Sequence, residues 1–190
     1  MNRRKARFNF VILSDLHLSE GKKKATGQIS RFEGFLFDRP FERLLLHLQE
    51  RAEQRDHLWT LVFNGDMIDF LRVTSIPDPN RPPKGLPTIT PTKQKYGLGG
   101  SAAESKWQLE RVVEGHPVFF RALARFLLQG HRVVILKGNH DVNWFWPEVR
   151  YRFMELIEAF LREVDSPDRK TDQRISAALD RLSFRSWSIY

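Results

Sequence analysis

The sequence predicts a layered α/β domain with parallel strands. Three observations point to it. Short, nearly continuous apolar runs occur at Phe8–Leu13, Leu58–Phe63 and Arg132–Leu136, the pattern of strands buried on both faces. Segments with helical spacing separate them, so the order strand, helix, strand, helices, strand, helix matches a crossover-connected sheet. Each run also ends in a polar, glycine-containing or acidic cluster. In sheets of this kind, ligands collect at the carboxyl ends of the strands.

Each element has a local reason. Phe8–Leu13 runs into Ser14-Asp15 and reads as a buried strand. From Phe41 to Arg55, apolar residues at 41, 44, 45, 48 and 52 have helical spacing, with Pro40 near the first turn. Leu58–Phe63 is closed by Asn64-Gly65-Asp66. Residues 72–100 hold six of the ten prolines, between Pro77 and Pro91, and four glycines between 85 and 100. Long irregular stretches of this kind serve as lids or stay unstructured, and 72–105 is the candidate lid. Ser101-Ala-Ala-Glu104 is a capping box that opens a helix over 102–114. The next helix starts at Pro117 and stops before Gly130. A third strand over 132–136 leads into Lys137-Gly-Asn-His-Asp141. Pro147 opens an amphipathic helix with apolar residues at 149, 153, 156, 157, 160, 161 and 164. Residues 165–172 read as loop, 173–182 as helix and 183–190 as strand. No internal repeat is present.

A chain of 190 residues fits one domain, residues 1–190. Its 41% hydrophobic and 28% charged residues place it among folded rather than disordered chains. With no cysteine, a disulfide scaffold, a thiolate zinc site and a cysteine nucleophile are excluded. The apolar stretch after the basic start is too short for a signal peptide or a membrane span. The cytoplasm is the expected compartment. Of the net charge of +8, +5 falls in residues 1–24: Arg3, Arg4, Lys5, Arg7, Lys22, Lys23 and Lys24 against Asp15 and Glu20. Such a field attracts phosphate groups, acidic lipid surfaces or nucleic acid. A solvated tail and a solvated loop are the plainer account of the same residues.

The strand ends carry the chemistry. They bear Asp15-Leu16-His17, Gly65-Asp66 and Gly138-Asn139-His140-Asp141. In an extended segment residues i and i+2 point the same way, so Asp15 and His17 would grip one ion. Carboxylate, amide oxygen and imidazole together suit Mn, Fe or Zn rather than Ca. One carboxylate can bridge two cations about 3.5–4 Å apart. A lone Asp-x-His is a weak signal, and Gly-Asp is weaker. Gly-Asn-His-Asp is specific, and the ordered set is stronger than any part.

Asp15-x-His17, Gly65-Asp66-x-x-Asp69 and Gly138-Asn139-His140-Asp141 resemble the calcineurin-like metallophosphoesterase superfamily. Ile12-Leu-Ser-Asp-Leu-His-Leu18 is similar to the bacterial branch that includes UDP-2,3-diacylglucosamine pyrophosphohydrolases. The resemblance implies an α/β/β/α sandwich and two divalent metal ions, with Mn expected and Fe or Zn as alternatives. It implies Asp15 and His17 on the first metal, Asp66 bridging, and Asn139 on the second. His140 would serve the leaving-group oxygen, Asp141 would orient His140, and Asp69 would support its loop rather than ligate. The implied reaction is in-line attack on a phosphodiester or pyrophosphate by metal-bound hydroxide. The implied substrate is a phosphorylated small molecule or a nucleotide-linked one.

That family has three further histidines in later motifs, yet the six here lie at 17, 47, 57, 116, 131 and 140. The expectation is therefore a chain that forms the first part of a longer protein, with the sandwich incomplete and activity impaired. Trp144 and Phe145 would then be exposed on an uncovered inner sheet face. The alternative function is a non-catalytic phosphate- or nucleic-acid-binding module on the same fold, and a third is a protomer that completes its site with another chain. Outside the motifs, His47 and His57 read as surface or packing residues, His131 as exposed and His116 as a helix cap. Trp144-Phe-Trp146 reads as packing at the start of a helix, with base stacking or lipid cover as the alternative.

Overall fold

The apolar runs become neighbouring strands of one sheet. The structure, a computed structural model, describes residues 8–23, 26–81 and 83–186. Strands β1 (Phe8–Leu13), β2 (Leu58–Asn64), β3 (Arg132–Leu136) and β4 (Leu182–Arg185) are parallel and lie in the order β1-β2-β3-β4. The register sets Leu13 beside Phe63, and Asn64 beside Leu136. The polar clusters after β1, β2 and β3 therefore emerge at one end of the sheet. The last strand is shorter than its sequence pattern predicts, and 187–190 lie outside the described residues, as do Arg3, Arg4, Lys5, Arg7 and Lys24.

Six helices accompany the strands among the described residues: α1 (Asp38–Arg55), α2 (Pro91–Tyr96), α3 (Ala102–Gly115), α4 (Pro117–Leu128), α5 (Pro147–Val164) and α6 (Thr171–Leu179). Helix α1 starts three residues before the apolar pattern does, with Pro40 in its first turn, where a missing N–H costs nothing. It ends at Asp56, in the left-handed conformation, whose N–H donates to the Ala52 carbonyl. The capping box of α3 forms as its sequence demands. Ser101 Oγ accepts from the Glu104 N–H while the Glu104 carboxylate accepts from the Ser101 N–H. Helix α2 interrupts the proline-rich stretch, capped by Thr90 with Pro91 in its first turn, and has no buried residue. The apolar pattern did not foretell it, because it packs no apolar face.

The helices cover one face of the sheet. Leu61, Phe63, Val133, Ile135 and Leu182 share one core with Phe41, Leu45 and Leu48 of α1, Leu109 and Val112 of α3, and Ile175 of α6. Helix α4 runs through its middle, with Phe119, Phe120, Ala122, Leu123, Ala124, Phe126 and Leu127 all buried. Helix α5 adds one stripe at i, i+4 spacing, Val149, Phe153, Ile157 and Leu161. Each such side chain, fully buried, contributes ~1.5–3 kcal/mol.

The alternate residues face the other way. There Val62, Val134 and Leu136 form a small buried cluster, while Phe10 is 55% and Ile12 61% exposed. The open apolar surface is thus on β1. Phe145 is exposed as expected, but Trp144 is not. Its ring is buried against Phe70, Phe153 and Phe184, and its Nε1 donates to Asp141. A helix over 173–182 was expected and α6 spans Thr171–Leu179. No helix of the described residues is long and apolar enough to cross a membrane.

Candidate metal centre

Three strand-end loops are stitched to one another before any side chain is considered. Gly65 N–H donates to the Leu136 carbonyl, and His17 and Leu18 N–H donate to the Asp66 and Met67 carbonyls. Asp69 N–H returns a bond to the Leu18 carbonyl, and Leu18 pairs with Ile68 in a short parallel bridge. The loops after β1 and β2 therefore continue the pairing of their strands beyond the sheet.

Backbone conformation aims the candidate ligand residues. Asp15, His17 and Asp66 have φ of 55°, 52° and 51°. Left-handed backbone costs a non-glycine residue ~1–2 kcal/mol, so three such residues within one cluster are a strained feature held by its surroundings. The Asp15–His17 segment is not extended, as the i, i+2 argument assumed. Two left-handed residues bring the pair together instead, with His17 Nε2 4.0 Å from Asp15 Oδ1. Gly138 has a different constraint. A Cβ there would overlap the Asp66 carboxylate, so only glycine lets the third loop approach. His140 N–H then donates to Asp66 Oδ1 at 2.8 Å.

Two overlapping groups result, each with ligand atoms within 4.8 Å of one another: Asp15, His17 and Asp66, and His17, Asp69 and His140. Asp15 is exposed, His17 and His140 are half-buried, and Asp66 and Asp69 are buried. Asn139 is exposed in the same loop as His140. The rings of His17 and His140 meet edge to face at 4.6 Å.

Asp69 is the hub. Its Oδ2 accepts from His17 Nδ1 at 3.2 Å, pairs with the Arg72 guanidinium at 3.1 Å, and lies 3.0 Å from His140 Nδ1, off the line of a hydrogen bond. Its Oδ1 accepts from the Arg72 N–H, which caps a 3₁₀ turn over Phe70–Arg72. A carboxylate on Nδ1 fixes the ring and leaves Nε2 for other work. The sequence reading gave the orientation of His140 to Asp141 and left Asp69 as loop support. Asp69 does support its loop, through the Arg72 N–H, and it bonds His17 Nδ1 as well. Asp141 accepts from Gly138 N–H, Met67 N–H and Trp144 Nε1, and none of its hydrogen bonds reaches His140. Burial pushes its carboxyl up, the three donors oppose this, and the charge of Asp66 adds to the rise. The Gly-Asp-x-x-Asp spacing was the one signal for Asp69.

His116 was read as a helix cap. It is the C-cap residue of α3 and the N-cap residue of α4, but its side chain makes no capping hydrogen bond to α4. It is 1% exposed and bridges Glu33 Oε2 at 3.0 Å and Asp38 at 3.1 Å. Burial pulls its pKa down, but the bonds and charges of Asp38 and Glu33 outweigh that and raise it to about 9. Burial likewise pushes Glu33 up, yet His116 and the N–H groups of Phe35 and Gly21 leave it lowered. Glu33 also accepts from Ser19 N–H, which ties the loop after His17 to the α3–α4 corner. Gly21 and Gly115 meet there backbone to backbone, with no room for a Cβ on either. His131, expected to be exposed, is buried against Phe126 and accepts from the Trp59 N–H. Burial, with the charges of His57 and Arg181, lowers it to about 4. His47 is exposed and His57 packs edge-on against Trp59, as read.

Comparison with models of protein families, with curated proteins and with solved structures gives no match.

Proposed function

We propose that the chain carries a dinuclear metal site that hydrolyses a phosphodiester or pyrophosphate. The observation behind this is the convergence of Asp15, His17, Asp66 and His140 at the carboxyl ends of β1, β2 and β3, with Asn139 in the same loop as His140. The donor set of carboxylates, imidazoles and one amide fits Mn, Fe or Zn. Asp15, His17, Asp66 and Asn139 would hold the ions. When bound, these supply positive charge to the phosphoryl oxygens and acidify a water.

The chain's own residues do the rest. Asp66 is anchored at Oδ1 by the His140 N–H, and its second oxygen is left to face an ion. Asp69 holds the ring of His17 through Nδ1, which leaves Nε2 as the ligand nitrogen. Its Oδ2 also lies 3.0 Å from His140 Nδ1, which leaves His140 Nε2 as the nitrogen to face the leaving oxygen. Asp141 keeps the Gly138–His140 loop against Met67 and Trp144 and touches no reacting atom. The same reading makes this sheet one half of an α/β/β/α arrangement whose second sheet would cover Phe10 and Ile12.

The test is Mn²⁺ binding by calorimetry on the 190-residue chain, followed by hydrolysis of bis(p-nitrophenyl) phosphate and of a nucleoside diphosphate ester. Saturable binding that weakens at least a hundredfold in Asp66→Asn is the expected result. A chain that binds Mn²⁺ equally well with Asn at 66 would remove the basis for this site.

A further inference from the structure

A second feature of the same sheet end is a cavity of about 210 Å³ beside β3 and β4. Three cations line it. Lys137 follows β3, Arg185 ends β4 and Arg150 stands in the first turns of α5. Trp144, Phe145 and Phe184 form its apolar walls, and no acidic residue lines it among the described residues. The side chains of Arg150 and Arg185 make no hydrogen bond or ion pair among the described residues. This sets them apart from Arg72, Arg121, Arg152, Arg162 and Arg174, each of which is paired with a carboxylate.

Two like charges facing one cavity, as Arg150 and Arg185 do, raise the energy of the empty state, and an anion between them relieves it. Guanidinium groups present two parallel N–H donors, which match the oxygens of a phosphate. Size narrows the ligand further. The volume is below the ~300–1,000 Å³ of pockets that enclose drug-sized ligands, so one charged group fits and a whole nucleotide does not. Position narrows it again. Lys137 immediately precedes Gly138, the residue packed against the Asp66 carboxylate.

We propose that this cavity is an anion subsite for a phosphoryl group. Its charge and shape are independent of the metal centre. That it seats a phosphoryl group of the substrate other than the one under attack rests on the phosphoesterase reading above.

The experiment is an NMR titration of the ¹⁵N-labelled 190-residue chain with inorganic phosphate, in EDTA so that no metal contributes. Saturable shifts at the Arg150 and Arg185 Nε–H signals are expected. The dissociation constant should rise at least tenfold in Arg150→Gln and in Arg185→Gln, and stay within twofold in Asp66→Asn. Absence of saturable binding, or a smaller loss in either arginine variant, overturns the subsite. Amide spectra and melting curves establish that each variant folds. Should a glutamine variant unfold, Arg150→Lys and Arg185→Lys carry the test, with a threefold or greater loss expected from removing the fork and a smaller loss overturning it. Phosphate binding in a chain that binds no Mn²⁺ leaves the subsite standing and removes the phosphoesterase reading. Mn²⁺ binding without phosphate binding does the reverse.

Discussion

Two histidine–carboxylate clusters sit in this molecule, and they differ in what is left over. At the α3–α4 corner, both nitrogens of His116 are consumed by Glu33 and Asp38, and the ring is 1% exposed. At the strand ends, His17 and His140 each face Asp69 through Nδ1 and remain 24% and 32% exposed. The residue types are nearly the same. The first cluster is saturated and sealed, so it acts as a staple. The second keeps a nitrogen on each ring, an exposed Asp15 and three residues in left-handed backbone, so it retains coordination capacity at some cost in stability. A metal site is distinguished from a structural ion pair by unsatisfied valence, not by composition.

Breaking the sealed cluster should have the largest effect on stability. His116→Ala leaves Glu33 buried and uncompensated, and loss of one partner from a buried pair costs about 3–5 kcal/mol. Urea unfolding should show that loss while Mn²⁺ affinity stays within threefold. A variant as stable as the parent would mean the cluster is no staple. Next comes the open cluster. Asp69→Asn removes the charge that holds the ring of His17 and lies beside that of His140, and changes of this kind reduce metal affinity or activity ~10–100-fold. Calorimetry with Mn²⁺ measures it, and unchanged affinity would return Asp69 to the role of loop support.

The smallest effect is in pH dependence, and its sign follows from the raised and lowered groups. His116, raised from 6.5 to about 9, contributes stability that is complete below pH 6.5 and lost as pH climbs to 9. Glu33, lowered from 4.5, contributes stability that is present above pH 4.5 and lost as pH falls below it. His131, lowered from 6.5 to about 4, takes up its proton more readily when unfolded, so stability rises between pH 4 and 6.5. Melting temperature should therefore peak near pH 6.5. His116→Gln should flatten the limb between 6.5 and 9, and an unaltered alkaline limb would place its origin elsewhere.

Much of the scaffold was legible locally. Apolar runs, the Ser101–Glu104 box and Pro117 with Gly130 act within a few residues, and they located three strands and four helices to within a few residues of where they lie. The motif residues at the strand ends were legible too, because parallel strands in register bring their carboxyl ends together. Partner choice was not. Asp69 and Asp141 are both close to His140 in motif terms. Which one reaches the ring depends on how two loops about seventy residues apart pack, with Trp144 drawing Asp141 inward. Burial of Trp144 itself required Phe70, Phe153 and Phe184, from three other segments.

By itself, then, the sequence determined the α/β class, the order of elements and the donor residues offered at one end of the sheet, since periodicity and strand ends are local properties. Tertiary structure alone decided that Asp69 holds His17, that His116 is sealed between Glu33 and Asp38, and that Arg150 and Arg185 meet over one cavity. The reason is physical. A hydrogen bond or an ion pair requires its atoms within about 3 Å, and residues 50–80 positions apart reach that distance only through the packing of everything between them.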